Sequence, residues 1–477
     1  MYLDAAQCYR ALLSHDTRFD GRFFVGVATT RIYCRPVCSA KTPLARNCSF
    51  FPSAAAAEAR GFRPCLRCRP ELAPGYAVVD ANGRLAKAAA GLIEDGQLAD
   101  TSLADLAGTL GVTDRHLRRV FQQEFGVAPV EYAQTQRLLL AKRLLTDTGL
   151  AVIDVAMASG FASLRRFNDL FRTRYRMTPG ELRRTSARDS PSQTLSFDLA
   201  YRPPYDWEAM LAFLERRAIA GVESIERGRY MRTVRVIARS EARGWISAAP
   251  SPRHSALRVT VSASLAAALP LVLARVKHLF DLSCRPDEIS AVLGPLAAGR
   301  PGLRLPGAMD GFEVAVRAIL GQQVTVKAAT KIAARFASAF GEPIETPHEN
   351  LTTLFPGGAA IAALEPVRIA ERGVVRTRAR AIVELARAVA SGKLRLDPSA
   401  DVDGTIAALD ALPGVGPWTA QYVAMRALAW PDAFPHPDVA VLKAMKEPRA
   451  AAALATAEGW RPWRAYAVLH LWKSLET

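Results

Sequence analysis

Over 409–443 the chain reads LDALPGVGPWTAQYVAMRALAWPDAFPHPDVAVLK, two helix-like runs joined by a glycine turn and followed by a Pro-rich loop. Leu412, Pro413, Gly414, Val415 and Gly416 make a turn that needs small residues, and Pro417 suits the first position of the next helix. A helix start carries unpaired N–H groups and the positive end of the helix dipole, so the turn at Gly414 and Gly416 can aim free amides at a phosphate. An αα-hairpin that only packs in a helical core fits the same string. The loop leads to Asp438 in HPDVAVLK, where an Asp caps a helix start and can also act as a chemical carboxylate.

The 477 residues predict about three domains at the usual 100–200 residues each. There are 62 Lys+Arg against 45 Asp+Glu, a net charge of +17, which favours a polyanion such as nucleic acid over an acidic small substrate. An anionic membrane surface is the competing partner. No apolar run reaches the roughly 18 residues of a spanning helix, and MYLDAAQCYR lacks the basic-then-apolar layout of a signal peptide, so a cytoplasmic protein without a membrane partner is expected. Seven cysteines without an export signal argue for reduced thiols rather than a disulfide framework.

Four of those cysteines cluster. Three residues separate Cys34 from Cys38, two separate Cys65 from Cys68, and 26 lie between the pairs. Paired thiols on short turns match one tetrahedral Zn2+ site with four Cys ligands, either an inert structural knot or a reactive centre. Cys8, Cys48 and Cys284 read as structural.

From about 81 to 185 the pattern is helical and basic. SLADLAGTLGVTDRHLRRVFQQEFGVAP has apolar residues at helical spacing, Gly111, a capping Thr113, and then Arg115, His116, Arg118 and Arg119. VIDVAMASGFASLRRFNDLFRTRYRMTP repeats the design with Gly160, a capping Ser163, Arg165, Arg166 and Asn168. Two helix-turn-helix units fit, and so do two helical bundles with basic solvated faces. TSARDSPSQT is polar and periodless, which marks a linker. LSFDLAY, MRTVRVIA, GWISAAP and ALRVTVSAS then alternate like strands of a small antiparallel sheet, with helices expected at 206–220 and about 265–280. Past Cys284 only helices, broken by Gly/Pro turns, are expected. The fold class is therefore multidomain α+β, mainly α. The expected divisions are a zinc domain at 1–77, an all-α double helix-turn-helix domain at 78–186, a linker at 187–194, an antiparallel-sheet subdomain at 195–283 and a helical helix-hairpin-helix core at 284–477.

LPGVGPWTAQY, LPGAMDGFEVAVRAILGQQV, Asp438, YRPPYDW and RPWRAYAVLHLW together resemble the helix-hairpin-helix DNA glycosylases of the AlkA type, which excise alkylated purines. The resemblance implies extrusion of the damaged nucleotide from double-stranded DNA and hydrolysis at a buried Asp438, whose charge stabilises the cationic sugar. It also implies a base pocket of Phe213, Trp418, Tyr422 and Trp472, with Gln322 and Gln323 in the turn that probes the gap left by the base. The best-known relative has an apolar wedge where Gln323 stands. Electron-rich rings favour cationic bases such as 3-methyladenine and 7-methylguanine. Lyases of this superfamily carry a lysine nucleophile where this chain has Trp418, so a monofunctional enzyme is expected. No cysteine follows Cys284 to hold an iron–sulfur cluster.

VATTRIYCRPVCSAKTPLARNCSFF and GFRPCLRCRP resemble the N-terminal domain of Ada, which takes methyl groups from DNA phosphotriesters. That resemblance makes Cys34 the methyl acceptor and Cys38, Cys65 and Cys68 permanent ligands. Arg35, Lys41, Arg63 and Arg67 would grip the flanking phosphates, although Leu66 stands where the family often has another basic residue. The paired helical units and the FRTRYRMTP tail resemble the AraC-type DNA-binding domain, which implies promoter DNA and RNA polymerase as partners and needs no dimer. The PCHR acceptor motif for O6-alkylguanine is absent. A fused alkylation-repair enzyme and regulator is the leading expectation; a transcription factor whose glycosylase-like part only binds DNA is the alternative.

Overall fold

The spacing of four short strands decides how the cysteines meet. β1 (Phe24–Val27) is antiparallel to β2 (Ile32–Cys34) on one side and to β3 (Cys48–Phe51) on the other, while β4 (Arg63–Pro64) runs parallel to β2. A parallel pair needs a crossover, and here it contains β3 and the helix Ala54–Ala59. Tyr33 lies opposite Pro64, so Cys34 and Cys65 leave adjacent strands side by side. The computed structural model describes residues 4–74, 84–99, 101–184, 193–238, 240–252 and 254–476, and most of the linker expected after 185 falls outside them.

Seven helices from Arg84–Glu94 to Pro179–Arg184 follow. In the first unit, Gly111 at φ +69° turns the chain between Leu103–Thr109 and Asp114–Phe125. In the second, Gly160 at φ +82° does the same between Val152–Ala158 and Leu164–Tyr175. A side chain at either position would be strained. The helix Pro129–Asp147 joins the two units.

The next sheet has five antiparallel strands: β5 (Thr194–Ala200), β6 (Glu223–Glu226), β7 (Arg229–Ile237), β8 (Glu241–Pro250) and β9 (Ala256–Ser262), in the order β5-β9-β8-β7-β6. Alternate residues of β5 are buried, the pattern of a strand with one face on a core. The expected helix at 206–220 is shorter, Trp207–Glu215, because Arg216 and the residues after it turn back toward β6; Asp206 caps its start through Ala209 N. The helix expected at about 265–280 is Leu269–Leu279, preceded by a 3-10 turn over Ala263–Ala268. Past Cys284 the chain is not purely helical. β10 (Glu342–Pro343) pairs with β11 (Thr353–Leu354), and Thr352 and Thr353 both donate backbone N–H groups to Gly221 O.

The cores do not follow the sequence signatures one for one. Phe167, Phe171, Tyr175 and Leu138 of the helical segment share one buried cluster with Phe197, Val259, Leu269 and Phe280 of the sheet segment. Polar contacts cross the same seams: Arg143 Nη2 donates to Asp198 O at 2.8 Å, Arg202 Nη2 to Asp20 O at 2.8 Å, and Arg22 pairs with Glu288 at 2.7 Å. A larger helical core surrounds the glycine hairpin, including Val415, Ala420, Val423 and Leu409.

Candidate functional site

Chain topology brings the four sulfurs of Cys34, Cys38, Cys65 and Cys68 within 4.8 Å of one another. Hydrogen bonding to the sulfurs of Cys38, Cys65 and Cys68, with burial and the nearby Cys68 charge adding to it, pushes the Cys34 thiol well up. A divalent cation offsets that shift, and four thiolates at this spacing fit a tetrahedral zinc ion. Cys38 and Cys65 are buried, whereas Cys34 and Cys68 are half-buried. The two half-buried cysteines differ: Arg35 N donates to Cys68 Sγ at 3.4 Å, and no backbone N–H reaches Cys34 Sγ among the described residues. Arg35 is committed to the fold, donating Nε to Asp20 Oδ1 at 2.8 Å and Nη1 to Cys68 O at 3.2 Å. Arg67 and Lys41 are exposed beside the centre, and Arg63 is half-buried.

On Asp114–Phe125 the residues Leu117, Phe121 and Phe125 are buried, which turns Arg115 and Arg118 outward. Phe167, Phe171 and Tyr175 do the same for Arg165 and Arg166 on the second unit. Thr113 caps its helix through His116 N, and Ser163 through Arg166 N. Arg118 has only an exposed 3.7 Å ion pair with Asp114, which a phosphate can displace.

In the C-terminal half, Gly414 takes φ +86° between Val402–Asp410 and Pro417–Arg426, and Gly416 caps the second helix with open space where a Cβ would stand. Asp438 sits 9 % exposed at the head of Val439–Met445. Its Oδ1 accepts Val441 N at 2.9 Å and Trp472 Nε1 at 3.1 Å, and its Oδ2 accepts Trp418 Nε1 at 2.7 Å. The cap and the aromatic frame are thus one arrangement. Trp418 stacks on Tyr422 with centroids 5.1 Å apart, Tyr422 lies 6.4 Å from Trp472, and Phe213 is nearly parallel to Trp472 at 6.5 Å. All four expected pocket rings therefore gather beside the carboxylate.

Gln322 and Gln323 part company. Gln322 Nε2 donates to Gly414 O and Thr419 Oγ1, both at 2.9 Å, and so ties its turn to the hairpin. Gln323 is exposed, with φ +54°, at the tip.

Four family models match successive segments: the metal binding domain of Ada over 7–71, a helix-turn-helix domain over 106–185, the AlkA N-terminal domain over 196–310, and the HhH-GPD superfamily of base excision DNA repair proteins over 316–461. Across its full length the chain is 39 % identical to the probable bifunctional transcriptional activator/DNA repair enzyme AlkA of Mycobacterium tuberculosis, covering 100 % of this chain and 97 % of that protein. The chain belongs to the bifunctional activator/repair family of AlkA. Its C-terminal 58 % is 39 % identical to DNA-3-methyladenine glycosylase 2 of Escherichia coli, of which 96 % is covered. A solved 3-methyladenine DNA-glycosylase from Archaeoglobus fulgidus has the same fold over 58 % of this chain and 97 % of its own, with a TM-score of 0.50 at 21 % identity.

Two residues beside the pocket were not picked out from the sequence. Arg426 Nη1 donates to Tyr422 Oη at 2.8 Å, and the Arg217 guanidinium lies 3.7 Å from the centre of the Phe213 ring. Each stands four residues after the ring it touches, a helical i, i+4 spacing that was the available signal.

Proposed function

We propose that this protein hydrolyses the N-glycosidic bond of alkylated purines, of the 3-methyladenine and 7-methylguanine type, in double-stranded DNA, and that methyl transfer to Cys34 makes it a sequence-specific regulator. The observation that carries the repair reading is the Asp438 carboxylate held by two indole N–H groups beside a cluster of four aromatic rings. In this reading Gly414 and Gly416 grip a backbone phosphate, Gln323 enters the gap in the duplex, and Gln322 fixes the turn from which it projects. The flipped base stacks on Trp418, Tyr422 and Trp472. As the bond from the sugar to the base nitrogen breaks, its electron pair leaves with the base, and the Asp438 charge stabilises the sugar cation that water attacks. Trp418 offers no amine, so no Schiff base forms and the strand is not cut.

For the regulatory half, bound zinc keeps the four sulfurs as thiolates at neutral pH. Cys34 Sγ attacks the methyl carbon of a methylphosphotriester; the S–C bond forms, the C–O bond breaks, and the pair stays on the phosphate oxygen. Among the described residues its sulfur has no backbone N–H donor, whereas that of Cys68 has one, and this supports Cys34 over Cys68 as nucleophile. Arg63 and Arg67 hold the neighbouring phosphates, while Arg115, Arg118, Arg165 and Arg166 face successive major grooves of promoter DNA. The reading has the protein act as a cytoplasmic monomer, with RNA polymerase as partner at promoters. Among the described residues no helix is long and apolar enough to cross a membrane.

Incubation with methylated duplex DNA, followed by assay of free bases and of protein mass, tests both halves. Released methylpurine and one added methyl group are expected. Release without protein methylation would leave only the glycosylase, and methylation without release would leave only the regulator.

A further inference from the structure

Phe213 does not meet the pocket as a bare ring. The guanidinium carbon of Arg217 lies 3.7 Å from its centroid, and that of Arg426 lies 5.1 Å from the same centroid and 5.6 Å from Tyr422. Arg426 is fixed by Nε to Pro306 O at 2.7 Å, Nη2 to Gly307 O at 2.9 Å and Nη1 to Tyr422 Oη at 2.8 Å. Arg217 is held by Nη1 to the Phe213 carbonyl at 3.2 Å. Among the described residues no carboxylate pairs with either guanidinium, whereas nearby Arg317 is paired with Glu223 and Glu313, each at 2.8 Å. Burial pushes the Tyr422 phenol up, yet Arg426 and Arg217 outweigh it and hold the phenol below its ordinary value.

Two uncompensated cations against these rings work against ground-state attraction of a cationic base, because they already engage the π faces and repel like charge. The same cations favour whatever gains electrons during the reaction. We propose that Arg217, backed by Arg426, is a specificity-determining residue that stabilises the negative charge arriving on the leaving base. This rests on the glycosylase reading of the Asp438 pocket. When the bond between sugar and base nitrogen breaks, the pair goes to the base. A ring-alkylated cationic purine then leaves as a neutral molecule. An uncharged damaged purine leaves as an anion, which takes a proton from water afterwards, while a water oxygen closes the bond to the sugar. The guanidiniums therefore favour uncharged lesions relative to a pocket of rings alone.

The test compares single-turnover release of hypoxanthine, an uncharged damaged purine, and of 7-methylguanine from otherwise identical duplexes by wild type, Arg217→Gln and Arg217→Lys. Removal of the charge should slow hypoxanthine release while relieving repulsion of the cationic 7-methylguanine, and so lower the hypoxanthine to 7-methylguanine ratio by roughly tenfold or more in the Gln variant. The Lys variant, which keeps the charge, should restore part of that ratio. An unchanged ratio, with both rates falling together, would assign Arg217 a packing role and overturn the proposal. Failure of wild type to release either base would overturn the glycosylase reading, and the proposal with it.

Discussion

Trp418 Nε1 donates to Asp438 Oδ2 at 2.7 Å, so the helix that follows the glycine hairpin also aims the carboxylate. Pro417 starts the helix that carries Trp418, and the preceding turn contains Gly414 and Gly416. The proposed phosphate contact and the carboxylate's orientation thus meet on one helix start. Trp418→Phe keeps an apolar face for the base and removes the N–H. A hydrogen bond to a charged group contributes about 1.5–3 kcal/mol, so single-turnover base release should slow roughly ten- to hundredfold. A rate within twofold of wild type would show that Trp472 and Val441 suffice to hold Asp438.

Methylation of Cys34 should tighten promoter binding. Four thiolates around zinc carry a net charge of about −2, and a thioether in place of one leaves about −1. Less repulsion from phosphates should raise affinity roughly five- to 150-fold, most strongly at low salt. Peptide mass spectrometry after reaction with methylphosphotriester DNA, then promoter titration at several salt concentrations, checks both steps. Methylation with unchanged affinity would refute the switch and leave the repair reaction untouched.

Arg118→Ala and Arg166→Ala should weaken promoter binding while leaving base release from short non-specific duplexes within about twofold. Both side chains are exposed on helices whose buried faces point the other way. Gel-shift titration and base release measured on the same preparations decide this. Equal damage to both activities would mean that the shared core transmits changes from the helical units to the glycosylase segment.

Acid should loosen the junction between the sheet and the helix Gly311–Leu320. Burial pushes the Glu223 carboxyl up, but Arg317 and Arg232 outweigh it and hold it at about 2, below the ordinary 4.5. Tyr230 Oη also donates to Glu223 Oε1 at 2.6 Å, and Arg232 bridges to Glu313 at 2.6 Å. A depressed folded-state pKa contributes stability that is complete above the unfolded value and lost as pH falls through the folded one. The loss should therefore run from about pH 4.5 down to about 2. Glu223→Gln should destabilise the protein by about 3–5 kcal/mol at pH 7 and flatten that part of the profile, read by denaturant melts at a series of pH values. An unchanged slope would place the acid sensitivity elsewhere.

Local chemistry made much of this architecture legible before any coordinates. Cys34, Cys38, Cys65 and Cys68 announce a metal centre by spacing, and Gly111, Thr113, Gly160 and Ser163 mark two turns and two caps because few other residues do those tasks. The string HPDVAVLK marks Asp438 as a helix cap, and the resemblance to the glycosylases marks it as the chemical carboxylate. Facts that depend on register and packing stayed hidden. Nothing in the string Gln322–Gln323 says which amide will reach across to Gly414 and which will be left exposed at positive φ. Arg35 looks like Arg67 in sequence, yet the β1–β2 hairpin brings it to Asp20. The cations at the pocket escaped notice because arginine on a basic chain reads as solvated surface until its ring partner is known.

The proposed base excision stands or falls with Asp438. Asp438→Asn keeps the shape, the cap and one acceptor while removing the charge that faces the sugar cation. Single-turnover release of 3-methyladenine from alkylated duplex DNA by this variant should fall roughly a hundredfold or more, with binding to the same duplex preserved. Near-normal release with intact binding would place the chemistry at another residue and contradict the account.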